Sequence, residues 1–173
     1  LLAMHRLTPL KNTALAIRTL AFLPPNYELT CLGDGPERLA LEALRDRLGL
    51  TDRIHFRGFI DDVTEYLSRA DVLVHCSGAE TFGLAAFEAA QRDIPVVCID
   101  QGAFADLVPR YIVGVKVPLP ADPSTFADAI RDAEALCADR AAFDAARDRR
   151  MNELSPQTVV AQWLELLAGI VRP

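Results

Sequence analysis

Asp71–Asp100 reads DVLVHCSGAETFGLAAFEAAQRDIPVVCID, and the reading of this stretch decides the fold. Asp71–Cys76 is a near-continuous apolar, largely β-branched run, the pattern of a strand covered on both faces. From Gly78 a loop leads into a helix that should begin near Gly83. Ile94–Asp100 is apolar again. A strand, a helix and a second strand without polar alternation describe a parallel sheet with helices on its faces.

The same rhythm continues outward. Upstream lie a short apolar run at Leu1–Met4, helical spacing over 12–23, a strand over 27–33 and a helix over 36–50 with Pro36 in its first turn. A strand over 53–58 and a helix over 61–70, opening on two aspartates, complete that side. Past Asp122 the pattern is helical in three segments, 122–138, 139–154 and 155–171. Asp122-Pro123 and Ser155-Pro156 are strong start signals. Residues 1–173 therefore read as one α/β domain, an open doubly wound, Rossmann-like parallel sheet with a helical C-terminal portion.

Bulk properties narrow the function. A net charge of −6 disfavours a non-specific nucleic-acid binder, which needs a basic surface. No apolar run approaches the ~20 residues of a membrane-spanning helix. The segment at Leu1 has no basic leader, so no signal peptide is expected and the cytoplasm is the expected location. Cys31, Cys76, Cys98 and Cys137 form no metal-like spacing with one another or with His5, His55 or His75, and read as small core residues of a reducing compartment.

In doubly wound sheets ligands bind beyond the carboxyl ends of the strands. That rule selects the loops 5–11, 33–36, 57–60, 76–83 and 100–106. The first carries Arg6 and Lys11, two cations suited to a diphosphate. The second has Gly33 and Gly35, but Arg38 occupies the third glycine position of a dinucleotide fingerprint, so a nicotinamide or flavin site is not expected. In the fourth, the amides of Phe82, Gly83 and Leu84 open a helix, a ready place for an anion. On a helical wheel, apolar residues from Leu84 to Ala90 cover most of the circumference. Glu88, Gln91 and Arg92 form the narrow polar seam. Glu88 then either pairs with Arg92 on a solvated face or turns toward the cleft. With Glu80 before the helix, the second arrangement suits a ligand with hydroxyls at both ends and phosphates between them, the layout of a nucleotide sugar.

These residues resemble a known family. HRLTPLKN (5–12), LGDGPERLALEALRDRLGL (32–50), RIHFRGFIDD (53–62), LSRADVLVHCS (67–77), ETFGLAAFE (80–88, two glutamates separated by seven residues), IPVV (94–97) and VPLPADP (117–123) occur in the order and spacing of the C-terminal, donor-binding domain of the retaining family 4, or group 1, glycosyltransferases. The resemblance covers nearly the whole chain and implies one half of the two-domain GT-B architecture. It further implies that Arg6 and Lys11 hold the donor diphosphate and that Glu80 contacts the transferred sugar, these three being the expected catalytic residues. Glu88 would take the ribose hydroxyls, the amides of Phe82, Gly83 and Leu84 the phosphates, and Arg57, Gly58 and Phe59 would border the base, with Gly33 and Gly35 on the donor side. No metal and no separate cofactor are implied. The donor is a UDP-, GDP- or ADP-linked sugar.

The chain departs from the family pattern at several points. His5 and Asn12 replace glycines that flank the first loop, and Asp93 replaces a third. QGAFAD (101–106) stands for a G-G-x-x-E loop, which leaves its sugar contacts open, and RYIVGVKV (110–117) lacks the family's N-G-x-x-G. Nothing corresponds to the N-terminal acceptor domain, so the chain reads as an excised half or as one chain of two. It is expected to bind donor but transfer little sugar alone, with any membrane association residing in the missing half. A GT-B-type nucleotide-sugar epimerase half and a non-catalytic nucleotide-binding or interaction module are the rival readings.

Overall fold

The expected strands are β1 (Leu2–Met4), β2 (Leu29–Leu32), β3 (Ile54–Gly58), β4 (Leu73–His75) and β5 (Val96–Ile99). A further strand, β6 (Gly114–Val117), completes the sheet. The computed structural model describes residues 1–80 and 82–170, so Thr81 of the glutamate motif and Val171 at the end of the last expected helix lie outside it. The strand order is β3-β2-β1-β4-β5-β6, and every neighbouring pair is parallel.

Successive strand residues leave the sheet on opposite sides, and both sides are covered. Ala3, Cys31, Val74, Val97 and Ile99 meet Leu15, Ile17 and Leu20 of α1 (Thr13–Leu20), Leu41 and Leu44 of α2 (Arg38–Arg47) and Phe126 and Ile130 of α6 (Pro123–Leu136). Leu2, Leu32, Leu73, Val96 and Cys98 meet Leu67 of α3 (Thr64–Ser68), Ala86, Ala89 and Ala90 of α4 (Leu84–Ala90) and Phe104 of α5 (Gly102–Ala105). The apolarity of β1, β4 and β5 follows from this double coverage, while the edge strand β3 buries little beyond Ile54, and the doubly wound Rossmann-like α/β fold read from the sequence is the one observed.

Several expected boundaries shift. Pro36 stands in a turn ahead of α2, closed by the Arg38 amide on Gly35 O at 3.1 Å. The helix expected over 61–70 is one short piece, α3, after Asp62 caps the Thr64 amide at 2.9 Å. At α6 the expected cap is present, with Asp122 accepting from the amides of Ser124 and Thr125. Cys31, Cys76 and Cys98 are buried thiols as read, and burial pushes Cys31 and Cys98 up to about 12. Cys137 is exposed instead, because it falls past the last turn of α6.

Two helices follow α6: α7 (Arg140–Glu153) and α8 (Pro156–Ile170). Asp93 anchors the first. It adopts φ +56°, the left-handed conformation that aspartate tolerates in a glycine's place. Its carboxylate also takes Arg140 at 2.5 Å and Arg147 at 2.9 Å. Partial burial pushes the Asp93 carboxyl up, but the two arginines outweigh it and hold the group below its ordinary value. This linkage is therefore complete above about pH 4 and is lost as the pH falls through the lower folded value. Asp93→Asn keeps the backbone preference and removes the charge. It should cost about 1 kcal/mol, given two partly solvated arginines. Amide hydrogen exchange should show the loss in α7, with the sheet still protected.

Candidate functional site

Strand order reverses direction between β1 and β4, and there the crevice of a doubly wound sheet opens. The loops that leave these two strands carry Arg6, Lys11 and Glu80. The loop after β1 is held backbone to backbone against the loop after β2. The His5 amide donates to Leu32 O and the Leu7 amide to Asp34 O, each at 3.0 Å. Only glycine permits this approach, since a Cβ at Gly33 would stand 2.1 Å from His5 O and one at Gly35 would stand 2.3 Å from Leu7 O. The loop then makes a 3-10 turn at Pro9–Lys11, ended by Asn12 at φ +47° in the position of a family glycine. Ser77, buried in the loop after β4, ties the two loops together. Its Oγ lies 2.8 Å from Ala79 O and 3.2 Å from Leu10 O.

This staple sets Lys11 beside Glu80, with Nζ 2.5 Å from Oε2 and both side chains about four-fifths buried. Arg6 is exposed and joins no ion pair among the described residues. Gly83, at φ +74°, turns the chain into α4. The amides of Ala86 and Phe87 both return to Gly83 O, while those of Leu84 and Ala85, in the first turn, have no intrahelical acceptor. A Cβ on Gly83 would lie 2.4 Å from the Phe104 ring, so this glycine also admits Phe104 beneath the cleft.

Three cavities run along the carboxyl edge and share their walls. One of about 440 Å³ is lined by Met4, His5, Arg6, Leu32, Gly33, Asp34, Phe59, Ile60 and Val63. The next, about 340 Å³, shares Met4, His5 and Arg6 and adds Lys11, His75, Glu80, Phe82, Gly83, Leu84 and Ala85. The third, about 620 Å³, shares Lys11 and Glu80 and extends to Leu10, Gly78, Ala79, Gln101 and Gly102. Arg6 thus stands at one junction and the Lys11–Glu80 pair at the other.

Eight of the twelve residues expected at the site line these cavities: Arg6, Lys11, Gly33, Phe59, Glu80, Phe82, Gly83 and Leu84. Arg57 does not. Strand alternation sends Phe56 toward the α1–α2 side, and Arg57 lines a separate groove with Leu1, Glu28, His55, Tyr66, Arg69 and Asp71, mostly at the amino ends of the strands. Gly35 and Gly58 shape the loops from behind, Gly58 O accepting the Gly33 amide at 2.7 Å. Glu88 is half-buried on the stripe of Leu84, one turn farther along α4, and lines none of the three cavities. It makes no ion pair with Arg92, whose guanidinium instead lies 3.4 Å from Glu88 O and 3.5 Å from Thr64 Oγ1. Leu84 is 70% exposed, because the first turn of α4 projects past the sheet, so the helix is less covered than its wheel suggests.

From the sequence His75, beside Cys76 at a strand end, reads as packing, and Ser77 carries no reading. Both sit where β4 ends, and that strand position at the crevice was the available signal. Burial above all, with Lys11 adding to it, pushes His75 down to about 4; burial, His75 and Lys11 do the same for His5, and Glu80 opposes the shift in both. The unfolded chain takes up these protons near pH 6.5 and the folded chain not until about 4. Folding stability should therefore fall as pH drops through that window, by on the order of 5 kcal/mol for the pair between pH 7 and 4.5. Urea unfolding at pH 7 and 4.5 reads this loss, and His75→Gln should remove part of it.

Among the described residues no group of three His, Cys, Asp or Glu side chains could hold a metal ion, and no helix is long and apolar enough to cross a membrane.

The profile of the family described as "Glycosyl transferases group 1" matches residues 1–149. The chain belongs to this family. Its curated relatives include the 2-deoxystreptamine glucosyltransferase of Streptomyces kanamyceticus, 31% identical over 133 residues, which are 76% of this chain and 33% of that protein. Among solved structures, Anabaena HepE in complex with UDP superposes with a TM-score of 0.81 at 26% identity, over 97% of this chain and 48% of HepE. WaaG, a glycosyltransferase involved in lipopolysaccharide biosynthesis, superposes at 0.74 with 25% identity, over 90% of this chain and 43% of WaaG. The chain spans between a third and a half of the length of these relatives.

Proposed function

We propose that this chain is the donor-binding half of a retaining glycosyltransferase and holds a nucleoside diphosphate sugar along the carboxyl edge of its sheet. The observation that carries this reading is the arrangement of cations and carboxylate along three joined cavities, with Arg6 at the first junction and Lys11–Glu80 at the second. The base fits the first cavity, whose wall at Phe59, Ile60 and Val63 is largely apolar. The diphosphate crosses the second, between Arg6, Lys11 and the amides of Leu84 and Ala85. The sugar reaches the third, with Glu80 on its hydroxyls. Uridine is the first candidate base, because HepE was captured with UDP.

During transfer, negative charge grows on the leaving diphosphate. Arg6 and Lys11 are positioned to stabilise it, each charge-assisted hydrogen bond contributing about 1.5–3 kcal/mol. In this scheme the leaving group needs no metal. The acceptor would be bound by another part of the enzyme, with transfer at the cytoplasmic face of a membrane and little turnover by this chain alone. Relatives named for lipopolysaccharide core and O-antigen biosynthesis favour a polysaccharide or glycoconjugate acceptor.

Calorimetric titration with UDP, GDP and ADP, with and without EDTA, tests the scheme. One nucleotide should bind at least tenfold more tightly than the others, and EDTA should not weaken it. Equal, barely measurable binding of all three contradicts donor binding. Loss of binding in EDTA contradicts the metal-free diphosphate site.

A further inference from the structure

The floor of the central cavity holds a polar atom that this scheme does not use. His75 ends β4 with 6% of its surface exposed, and its Nε2 is buried without a hydrogen-bond partner among the described residues. Such an atom is costly to bury and calls for a reason. Glu80 Oε2 lies 3.8 Å from it, beyond hydrogen-bond reach, and the same oxygen is held by Lys11 at 2.5 Å. The imidazole is fixed in place. It packs against Phe104 with ring centroids 4.7 Å apart, and Phe104 reaches it only because residue 83 is glycine.

We infer that His75 is a positioning residue for Glu80: when a diphosphate draws Lys11 away, the imidazole Nε2–H takes the carboxylate in its place. The inference rests on the diphosphate reading of the central cavity. Phosphate oxygens compete for the Lys11 ammonium, and the carboxylate then needs to move only ~1 Å to reach hydrogen-bond distance of Nε2. A neutral imidazole suits the task, since it donates through Nε2–H without bringing another cation to the phosphate. Burial above all, and Lys11 with it, keep the ring neutral. Lys11 faces it from the 3-10 turn, Glu80 from the loop after β4 and His5 from the loop after β1, and burial with Lys11 outweighs Glu80. Glu80 would thus stay oriented on the sugar after Lys11 has turned to the phosphate.

Lys11→Met removes the competing cation with no nucleotide present, so it tests the handover apart from donor binding. Nitrogen-15 spectra of the imidazoles should show the His75 Nε2–H signal moving downfield and the His75 midpoint rising by more than one pH unit. The double variant Lys11→Met/Glu80→Leu, which removes the acceptor, should reverse the downfield displacement, separating a hydrogen bond from the mere loss of a nearby positive charge. A Nε2–H signal that stays put in Lys11→Met, or a displacement that persists with Glu80→Leu, overturns the inference. In the unsubstituted chain, UDP should cause the same displacement. Failure of UDP to bind refutes the diphosphate reading, while the Lys11→Met spectra still decide the role of His75. If Lys11→Met does not fold, the UDP arm decides: bound UDP that leaves the His75 signal unmoved overturns the inference.

Discussion

Gly33→Ala is expected to remove about 3–5 kcal/mol of folding stability, much of what a domain of this size possesses. Two costs add. Gly33 adopts φ +119°, where an L side chain is strained by ~1–3 kcal/mol. Its added methyl would also stand 2.1 Å from His5 O and 2.9 Å from His5 C. These are backbone atoms, tied on either side by the His5–Leu32 and Leu7–Asp34 hydrogen bonds, so no flexible side chain can yield. Overpacking of this kind costs a further ~1–3 kcal/mol. Gly49→Ala separates the two effects, because Gly49 has φ +67° and nothing within 4 Å of an added Cβ. It should cost only about 1 kcal/mol. Thermal unfolding of both variants provides the comparison. Equal midpoints would mean that the loops after β1 and β2 do not meet as described.

Arg6→Ala/Lys11→Ala is expected to weaken nucleoside diphosphate binding by a hundredfold or more while leaving uridine binding unchanged. Two charge-assisted contacts at about 1.5–3 kcal/mol each correspond to ~10²–10⁴ in affinity, and solvent screening at the exposed Arg6 favours the lower end. The protein itself should tolerate the change. Arg6 joins no ion pair among the described residues, and the Lys11–Glu80 contact links two loops already stapled by Ser77. Calorimetry with UDP and with uridine makes the distinction. A parallel loss for both ligands would place the two cations in the loop's architecture and not on phosphate.

The sheet was legible because its central strands are apolar on both faces, and the carboxyl-edge rule then selected the loops that carry Arg6, Lys11 and Glu80. Arg6, Lys11 and Glu80 were readable as charges on those loops. Asp93 was readable as a residue that tolerates a glycine's left-handed conformation and adopts it, as does Asn12, for which the sequence showed only a replaced glycine. Other features depend on tertiary contacts that one chain's pattern does not encode. β6 reads GVKV, short and interrupted. It joins the sheet because Gly114 lets its backbone meet Val96 O, where a Cβ would stand at 2.0 Å, and because Lys116 pairs with Asp100 at 3.0 Å. Arg57 turned away because the pleat of β3, not loop membership, sets its direction. Glu88 was placed by a helical wheel, which fixes its stripe but not how far along α4 the cavities extend. His75 looked like packing because its neighbours are apolar. Only the sheet order sets it on the crevice floor.

The central claim is that the carboxyl edge of this sheet binds the nucleotide part of a sugar donor. Its most direct test is a UDP titration of the chain followed by backbone amide NMR. The account predicts saturable shifts concentrated at Arg6, Lys11, Phe59 and Gly83–Ala85, with the groove of Glu28, Arg57 and Arg69 silent. Shifts confined to that groove, or none at saturating UDP, would contradict it.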